Sequence, residues 1–223
     1  MTVTPRTPVL VGAGEITHRA DDPVDPVTLA AEAARRAFTD SGTVISHRID
    51  TVATPGILLA PRDQPATRIA RALGLDARRR VSCPVGGNTP PDPVELPGHD
   101  ILCGTLDAAL LVGPESGRPA QRHRSALGQV DPWPAPDQDE SLGDARPGLS
   151  AAEHAAGLYW PHEVYPIFES AIAARAGRTL DEQRMWLGRL MAPFTPEASR
   201  HPHPARVPAP PTAAELSTRA PAH

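Results

Sequence analysis

The feature that most constrains the fold is an alternation of short, mostly apolar runs with segments of helical periodicity in the first half of the chain. Runs of this kind, bounded by turn residues, are typical of buried strands. Strands that alternate with helices of about 10–15 residues are typical of βαβ units. The pattern therefore predicts an α/β protein with a mostly parallel sheet. The predicted strands are residues 9–11, 49–54, 80–83 and 106–112.

The predicted helices between these strands have start and stop signals. Asp25-Pro26 supplies an N-cap and a proline at the first helical position, and Gly42 marks the end of that helix. A second helix is predicted over residues 65–73. Together the strands and helices predict an alternating β/α core over residues 5–116.

The second half of the chain has a different pattern, in which proline is frequent. The sequence holds 28 prolines in 223 residues, more than twice the usual share of about 5%. Polar residues broken by prolines predict a long loop over 117–149. Three helices follow, and the chain then ends in a proline-rich segment. The sequence thus predicts a loop-and-helix excursion over 117–193 and a flexible tail over 194–223. The predicted helices are residues 150–158, 163–176 and 179–191.

Composition and charge exclude several functional classes. A net charge of −4 argues against a nucleic-acid binder. No apolar stretch approaches the about 18 residues of a membrane span, and the N-terminus lacks the pattern of a signal peptide. The chain has no lysine, which excludes a Schiff-base or phosphate-loop lysine. Cys83 and Cys103 give no disulfide framework. We therefore expect a soluble cytoplasmic protein.

Several candidate motifs lack part of their pattern. Gly12-Ala13-Gly14 follows a predicted strand, but Thr17 stands where a dinucleotide fingerprint has its third glycine. The histidines and cysteines lack the paired spacing of zinc sites, and no glycines flank a serine as in a nucleophile elbow. The sequence predicts neither a metal nor a cofactor. Solvated surface positions are expected for the charged residues Arg78, Arg79, Arg80, Asp137, Asp139, Glu140 and Asp144.

The most informative segment is residues 86–89, called here the glycine loop: Gly86, Gly87, Asn88 and Thr89. It joins a predicted strand to the next predicted helix. Its glycines allow backbone to approach a ligand closely, and ligands bind at the carboxyl ends of parallel strands. Amides at the start of a helix can hold a thioester oxygen or a phosphate. The glycine loop is therefore the candidate substrate-binding site, and a structural turn is the alternative.

Six stretches along nearly the whole chain carry a family resemblance. They are residues 7–12, 31–37, 85–90, 107–116, 155–158 and 164–169. In them the chain resembles the thiolase superfamily, specifically its bacterial acetyl-CoA acetyltransferase-like branch. The resemblance implies a thiolase-like N-terminal domain that acts on coenzyme A thioesters in lipid metabolism. It also implies that Gly86, Gly87, Asn88 and Thr89 shape the acyl pocket.

The chain departs from the thiolase pattern at the nucleophile. The position of the thiolase cysteine falls on Gly87, which cannot be acylated. Thiolases draw a histidine and a second cysteine from a C-terminal half, so the resemblance implies that this chain is an N-terminal half. Cys83 is expected on a strand and Cys103 near a helix end. Since neither has an evident basic partner in the sequence, both are expected to be buried structural cysteines.

The helix after the glycine loop also departs from the pattern. Pro97-Gly98 falls inside it, at a cost of about 3 kcal/mol for the proline and about 1 kcal/mol for the glycine. We therefore expect either that the helix begins only near His99 or that the segment has drifted under weak constraint.

Two functional classes follow from the resemblance. The first is an acyltransferase without the nucleophilic cysteine, whose catalysis depends on oxyanion stabilisation and on bases outside this chain; a retro-aldol or decarboxylative reaction suits such a site. The second is a non-catalytic binding or assembly subunit, or a truncated inactive fragment. In either class a homo-oligomer or a partner subunit is expected, since thiolase-like proteins pair through their N-terminal domains.

Overall fold

A computed structural model describes most of the chain, which divides into two compact units, residues 1–146 and 147–223. The described residues are 5–18, 24–42, 45–57, 63–87, 89, 91–115, 139–144, 148–158, 161–200, 212 and 214–215, with Thr195 described by its backbone alone. Within these stretches no helix is long and apolar enough to cross a membrane.

The first unit is built on a four-stranded sheet. The strands are β1 (Ile49–Thr54), β2 (Arg79–Ser82), β3 (Ala108–Leu111) and β4 (Glu140–Ser141), and the helices are α1 (Pro26–Asp40), α2 (Pro65–Ala72) and α3 (Asp92–Cys103). The strand order is β3-β1-β2-β4, and all three pairings are parallel. A short 3-10 helix, Ser46–Arg48, leads into β1. The α/β class predicted from the alternation is confirmed.

Helix α1 begins and ends where its local signals predict. The Asp25 carboxylate accepts a hydrogen bond from the Val27 backbone amide at 3.1 Å, and Pro26 is the first helical residue. After the helix, Gly42 has a φ of 64°, in the left-handed region that glycine adopts without strain. The predicted N-cap, N1 proline and stop glycine are confirmed.

Helix α2 is capped by a residue far away in the sequence. The backbone amides of Ala66 and Thr67 each donate to the Asp139 carboxylate at 2.9 Å, and the Thr67 hydroxyl donates at 2.6 Å. The Ser82 hydroxyl at the end of β2 donates to the same carboxylate. Gln64, the residue before the helix, has a φ of 52° and provides no side-chain cap. The expectation that Asp139 is a solvated loop residue is therefore wrong.

Strand β4 lies inside residues 117–149, where the sequence predicted only a loop. Its two residues pair with β2, and the Arg79 guanidinium donates two hydrogen bonds to Glu140, both at 2.6 Å. Arg79 also donates to Asp100 of α3 at 2.8 Å. Arg79 and Arg80 belong to β2, and Arg80 lies in the strand predicted over residues 80–83. Arg79 is half-buried and ion-paired, so the expectation of a solvated surface position is wrong for Arg79. A strand of two residues has no periodicity by which a sequence can show it.

The hydrophobic core of the first unit is formed by β1, β3, α1 and α2. Val52 of β1 and Ile69 of α2 are fully buried at 0% exposure. Alanines provide much of the rest, which lets α1 and α2 pack closely together and α2 lie against β1 and β2, and helix α3 contacts β3 and β1. The cluster comprises Val27, Ala30, Ala34, Ile49, Val52, Ala66, Ile69, Ala70, Ala77 and Leu110.

Helix α3 continues through its internal proline. It runs from Asp92 to Cys103 without interruption, and both Pro93 and Pro97 are buried. Proline at position 97 removes one helical hydrogen bond, but burial of its ring against the rest of the unit offsets this loss. The expectation that the helix starts only near His99 is therefore wrong.

Residues 9–11 do not form the buried strand that their apolar run predicted. Val9 is 70% exposed, Leu10 86% and Val11 53%, and no described strand pairs with them. An apolar run becomes a buried strand only where a neighbouring strand satisfies its backbone hydrogen bonds. The segment is instead held at its two sides: Arg6 pairs with Asp107 at 3.3 Å, and the Ala13 amide donates to Asp40 at 2.9 Å.

The described residues of the second unit include the helices α4 (Ala151–Ala155), α5 (Pro161–Arg175), α6 (Leu180–Met191) and α7 (Phe194–Arg200). The predicted capping box of α6 is confirmed, since Glu182 donates its amide to the Thr179 hydroxyl at 3.3 Å and accepts from the Thr179 amide at 2.7 Å. Ser150 and Glu153 form a second capping box at α4. Helix α7 lies in the first part of the segment predicted to be a flexible tail.

Candidate functional site

The carboxyl edge of the sheet is the candidate site, because all four strands point the same way and their following loops meet there. A glycine occurs within a few residues of the end of every strand. These glycines are Gly56 after β1, Gly86 and Gly87 after β2, Gly113 after β3 and Gly143 after β4. Of these glycines, only Gly86 and Gly87 were predicted from the sequence as site residues.

Three of these glycines are required because the loops touch one another. A Cβ atom on Gly56 would lie 2.7 Å from the Val85 amide nitrogen, and one on Gly143 would lie 2.7 Å from an Asp92 carboxylate oxygen. A Cβ on Gly113 would lie 3.2 Å from the Pro55 ring. Real Cβ contacts are rarely this short, so these glycines let the edge loops pack together.

Gly87 is different, because open space surrounds it. Among the described residues, none beyond its chain neighbours has an atom within 4 Å of a Cβ placed on Gly87, and both Gly86 and Gly87 are exposed. Thr89 is 2% exposed, and its hydroxyl donates to the Gly86 carbonyl at 2.8 Å. The loop therefore presents glycine backbone to the outside and is anchored by a buried threonine. Asn88, the fourth predicted site residue, lies outside the described residues.

The glycine loop leads directly into α3. The Asp92 amide donates to the Thr89 carbonyl at 3.1 Å, and Asp92 is the first helical residue. The positive end of a helix dipole lies at its first turn. The first turn of α3 also carries the acidic Asp92 and Glu95. The amides of Asp92, Val94 and Glu95 already donate to the Thr89 and Pro91 carbonyls, so this turn has no free amide among them for an oxyanion.

Cys83 lies at the same edge, but its environment does not suit a nucleophile. It is buried, with 4% exposure, one residue beyond β2. Burial raises the pKa of the Cys83 thiol, and the negative charge of Asp92 raises this pKa further. Since the thiolate is the reactive form, Cys83 is inert near neutral pH. The structure agrees with the expectation of a buried structural cysteine.

Cys103 lies at the opposite end of α3 and is exposed, so the expectation that it is buried is wrong. Its sulfur is 3.4 Å from His99 Nε2. This histidine was not predicted from the sequence as a basic partner of the cysteine. The signal that could have found it is the spacing i, i+4, which places two side chains on one face of a helix.

Gly12 and Gly14 have a packing role. A Cβ on Gly12 would lie 2.3 Å from the Ala37 carbonyl oxygen, and one on Gly14 would lie 2.2 Å from the Ala33 carbonyl oxygen. Both glycines therefore allow the extended segment to lie directly on α1. This contact explains the Gly-Ala-Gly pattern without a nucleotide.

Charged side chains near the sheet form ion pairs with one another. Arg78 is held by Asp50, and this hydrogen bond holds the pKa of the Asp50 carboxyl below its usual value. The hydrogen bonds from Arg79 likewise lower the pKa of Glu140. In the described part of the chain, no group of three or more His, Cys, Asp or Glu side chains is placed to hold a metal ion.

The chain is similar to solved structures of known proteins. No family model and no curated protein matches the sequence. Among solved structures, the chain is similar to a monomeric SCP2-thiolase-like protein type 1 from Mycobacterium smegmatis, at 26% identity and a TM-score of 0.71. The match covers 98% of this chain and 40% of that chain. The chain therefore has a thiolase-like fold and spans two fifths of the length of that similar protein.

Proposed function

We propose that this chain carries the acyl-binding loop of a thiolase-type acyltransferase acting on coenzyme A thioesters, of the acetyl-CoA acetyltransferase-like kind. The observation that carries the proposal is the exposed glycine backbone of Gly86 and Gly87 at the carboxyl edge of a parallel sheet, just before α3. The likeness to an SCP2-thiolase-like protein supports it. Asn88 is included in the proposed site with Gly86, Gly87 and Thr89.

The absence of a thiol at Gly87 limits the chemistry of the glycine loop. Without a thiol at this position, no acyl group is transferred to the loop itself. The loop's contribution is to seat the thioester and to offer its backbone amides to the thioester oxygen. Carbon–carbon bond cleavage or formation of the retro-aldol or decarboxylative type needs this stabilisation and no acyl-enzyme at the loop.

The proposal includes the setting of the reaction. The acyl-CoA is a substrate, and no resident cofactor is needed for the chemistry. A cytoplasmic location, and a homo-oligomer or partner subunit, belong to the same proposal. The similar structure is described as monomeric. The alternatives of a non-catalytic assembly subunit and an inactive fragment are not favoured by the structural likeness.

A substitution that fills the open space tests the proposal. We expect Gly87→Phe to weaken acetyl-CoA binding at least about tenfold in isothermal titration, because the ring occupies the space of the acyl group. Gly148→Phe is the matched control, since a Cβ on Gly148 also meets no atom within 4 Å. Both variants should melt at the wild-type temperature. Equal affinity of Gly87→Phe and wild type, or no binding by wild type, would contradict the proposal.

A further inference from the structure

The glycine loop lies between two neighbouring loops at the carboxyl edge of the sheet. It follows β2, and β2 stands between β1 and β4 in the strand order. The loop after β1 contains Gly56, and the loop after β4 contains Gly143. Each of these glycines lies against residues close to an end of the glycine loop. The position of the glycine loop therefore depends on two segments that are distant from it in the sequence.

Gly56 lies on the backbone that leads into the glycine loop. A Cβ atom on Gly56 would lie 2.7 Å from the Val85 amide nitrogen and 3.0 Å from the Cys83 carbonyl oxygen. Backbone atoms cannot turn aside as the end of a long side chain can. The φ angle of Gly56 is outside the left-handed region, so its contacts alone require glycine here. A side chain at position 56 would therefore displace Val85, the residue before Gly86.

Gly143 lies against the chain on both sides of the glycine loop. A Cβ atom on Gly143 would lie 2.7 Å from an Asp92 carboxylate oxygen and 3.5 Å from the Pro84 ring. Pro84 precedes the loop, and Asp92 is the first residue of α3 after it. Gly143 also has a φ of 100°, so a side chain there is strained as well as crowded.

The far end of the glycine loop is fixed by Thr89. This residue is 2% exposed, and its hydroxyl and its amide donate to the Gly86 carbonyl at 2.8 Å and 3.3 Å. Because Thr89 is buried, a displacement of Val85 must be absorbed between Gly86 and Thr89. That stretch holds the exposed backbone of the proposed substrate site. A misplacement of about 1 Å can cost an active site about 10²-fold in rate.

We propose that Gly56 and Gly143 are positioning residues of the substrate site. Each lacks a side chain, which lets its loop hold the glycine loop where an acyl thioester binds. Gly56 acts through Val85, and Gly143 acts through Pro84 and Asp92, without contact to the thioester. This role rests on the proposed function, because there the glycine loop is the substrate site.

Acetyl-CoA binding by two variants tests this role, in isothermal titration at a temperature where each variant is folded. We expect Gly56→Ala to bind at least about tenfold more weakly than wild type. Gly143→Ala should bind at least about threefold more weakly, a smaller effect because the Asp92 carboxylate can turn away from the new methyl group. If only one of the two variants folds, that variant decides.

Two other glycines provide matched controls away from the glycine loop. Gly12→Ala is matched to Gly56→Ala, because a Cβ on Gly12 would lie 2.3 Å from the Ala37 carbonyl oxygen of α1. Gly42→Ala is matched to Gly143→Ala in backbone strain, because Gly42 has a φ of 64°. Both controls should lose stability and keep wild-type affinity. Wild-type affinity in a folded site variant, or an equal loss of affinity in its control, would overturn the positioning role and leave the proposed function intact.

Hydrogen exchange of the Thr89 amide tests the role without a ligand. We expect this amide to exchange at least about fivefold faster in Gly56→Ala than in Gly12→Ala, because displacement of Val85 stretches the hydrogen bond to the Gly86 carbonyl. Equal exchange in the two variants would overturn the positioning role of Gly56. Faster exchange in Gly56→Ala, together with no acetyl-CoA binding by wild type, would support that role and contradict only the proposed function.

Discussion

The two units of the chain hold their helices in different ways. In the first unit, Ile69 of α2 is fully buried, and the cap of that helix, Asp139, lies 73 residues from Ala66 in the sequence. In the second unit, α4 and α6 each begin with a capping box whose two residues lie three positions apart in the sequence. Ala173 is the one buried apolar side chain among the unit's described residues. Long-range packing stabilises the first unit, and local capping contributes more to the second.

The largest effect expected from this comparison is a core truncation. Ile69→Ala should lower the free energy of unfolding by about 2–5 kcal/mol, because it leaves a cavity in a fully buried site. Ile172→Ala in α5, where the side chain is 47% exposed, should cost less than about 1 kcal/mol. Urea unfolding followed by circular dichroism measures both. Equal costs for the two isoleucines would remove the distinction between the units.

The next effect concerns the distant cap. Asp139→Ala should cost about 2 kcal/mol, because it removes the cap of α2 and leaves the Thr67 and Ser82 hydroxyls without their acceptor. The control is Asp107→Ala, which breaks an exposed ion pair with Arg6 and should cost less than about 1 kcal/mol. Chemical denaturation of the two variants under one condition compares them. A smaller loss in Asp139→Ala than in Asp107→Ala would show that the cap is not stabilising.

The features that could be predicted from the sequence are those that depend on residues only a few positions apart. Asp25-Pro26 and the Thr179–Glu182 pair specify helix starts within a few positions, and both predictions are confirmed. The role of Asp139 depends on a contact across 73 residues, which no local pattern contains. The strand predicted from the apolar run at residues 9–11 was wrong for the same reason, because a strand forms only with a partner strand from elsewhere in the chain.

A smaller effect is expected from the local cap in the second unit. Thr179→Ala should destabilise α6 by about 1 kcal/mol, since it removes one half of the capping box. Hydrogen exchange of the α6 amides should quicken about fivefold, while the α2 amides keep their rates. Thr39→Ala in α1 is the control, because that hydroxyl only donates to the Arg35 carbonyl within its own helix. Unchanged exchange in α6 would contradict local capping.

The smallest effect is a pH dependence of the first unit. Hydrogen bonds from Arg79 lower the pKa of Glu140 below its ordinary 4.5. The folded state therefore gains stability that is fully present above pH 4.5 and is lost as the pH falls through the lowered pKa. Glu140→Gln should flatten this acid limb in thermal melts of the first unit. An acid limb that is the same in Glu140→Gln and wild type would contradict the pairing.

The candidate site was only partly predictable. Gly86, Gly87 and Thr89 stand together in the sequence, so their loop could be recognised between a strand and a helix. Gly56, Gly113 and Gly143 join them only because the parallel strands end at one edge. Their close approaches to neighbouring loops depend on tertiary packing, and open space around Gly87 is likewise a property of the fold alone.

The most direct test of whether an acyl thioester binds against Gly87 is to place a thiol at that position. In a Cys103→Ser background, Gly87→Cys is incubated with acetyl-CoA, and the acetyl group is located by peptide mass spectrometry. We expect the introduced thiol to be acetylated and Cys83 to remain unmodified. If iodoacetamide alkylates the introduced thiol but acetyl-CoA leaves it free, the thiol is accessible and no thioester binds there, and the claim is wrong.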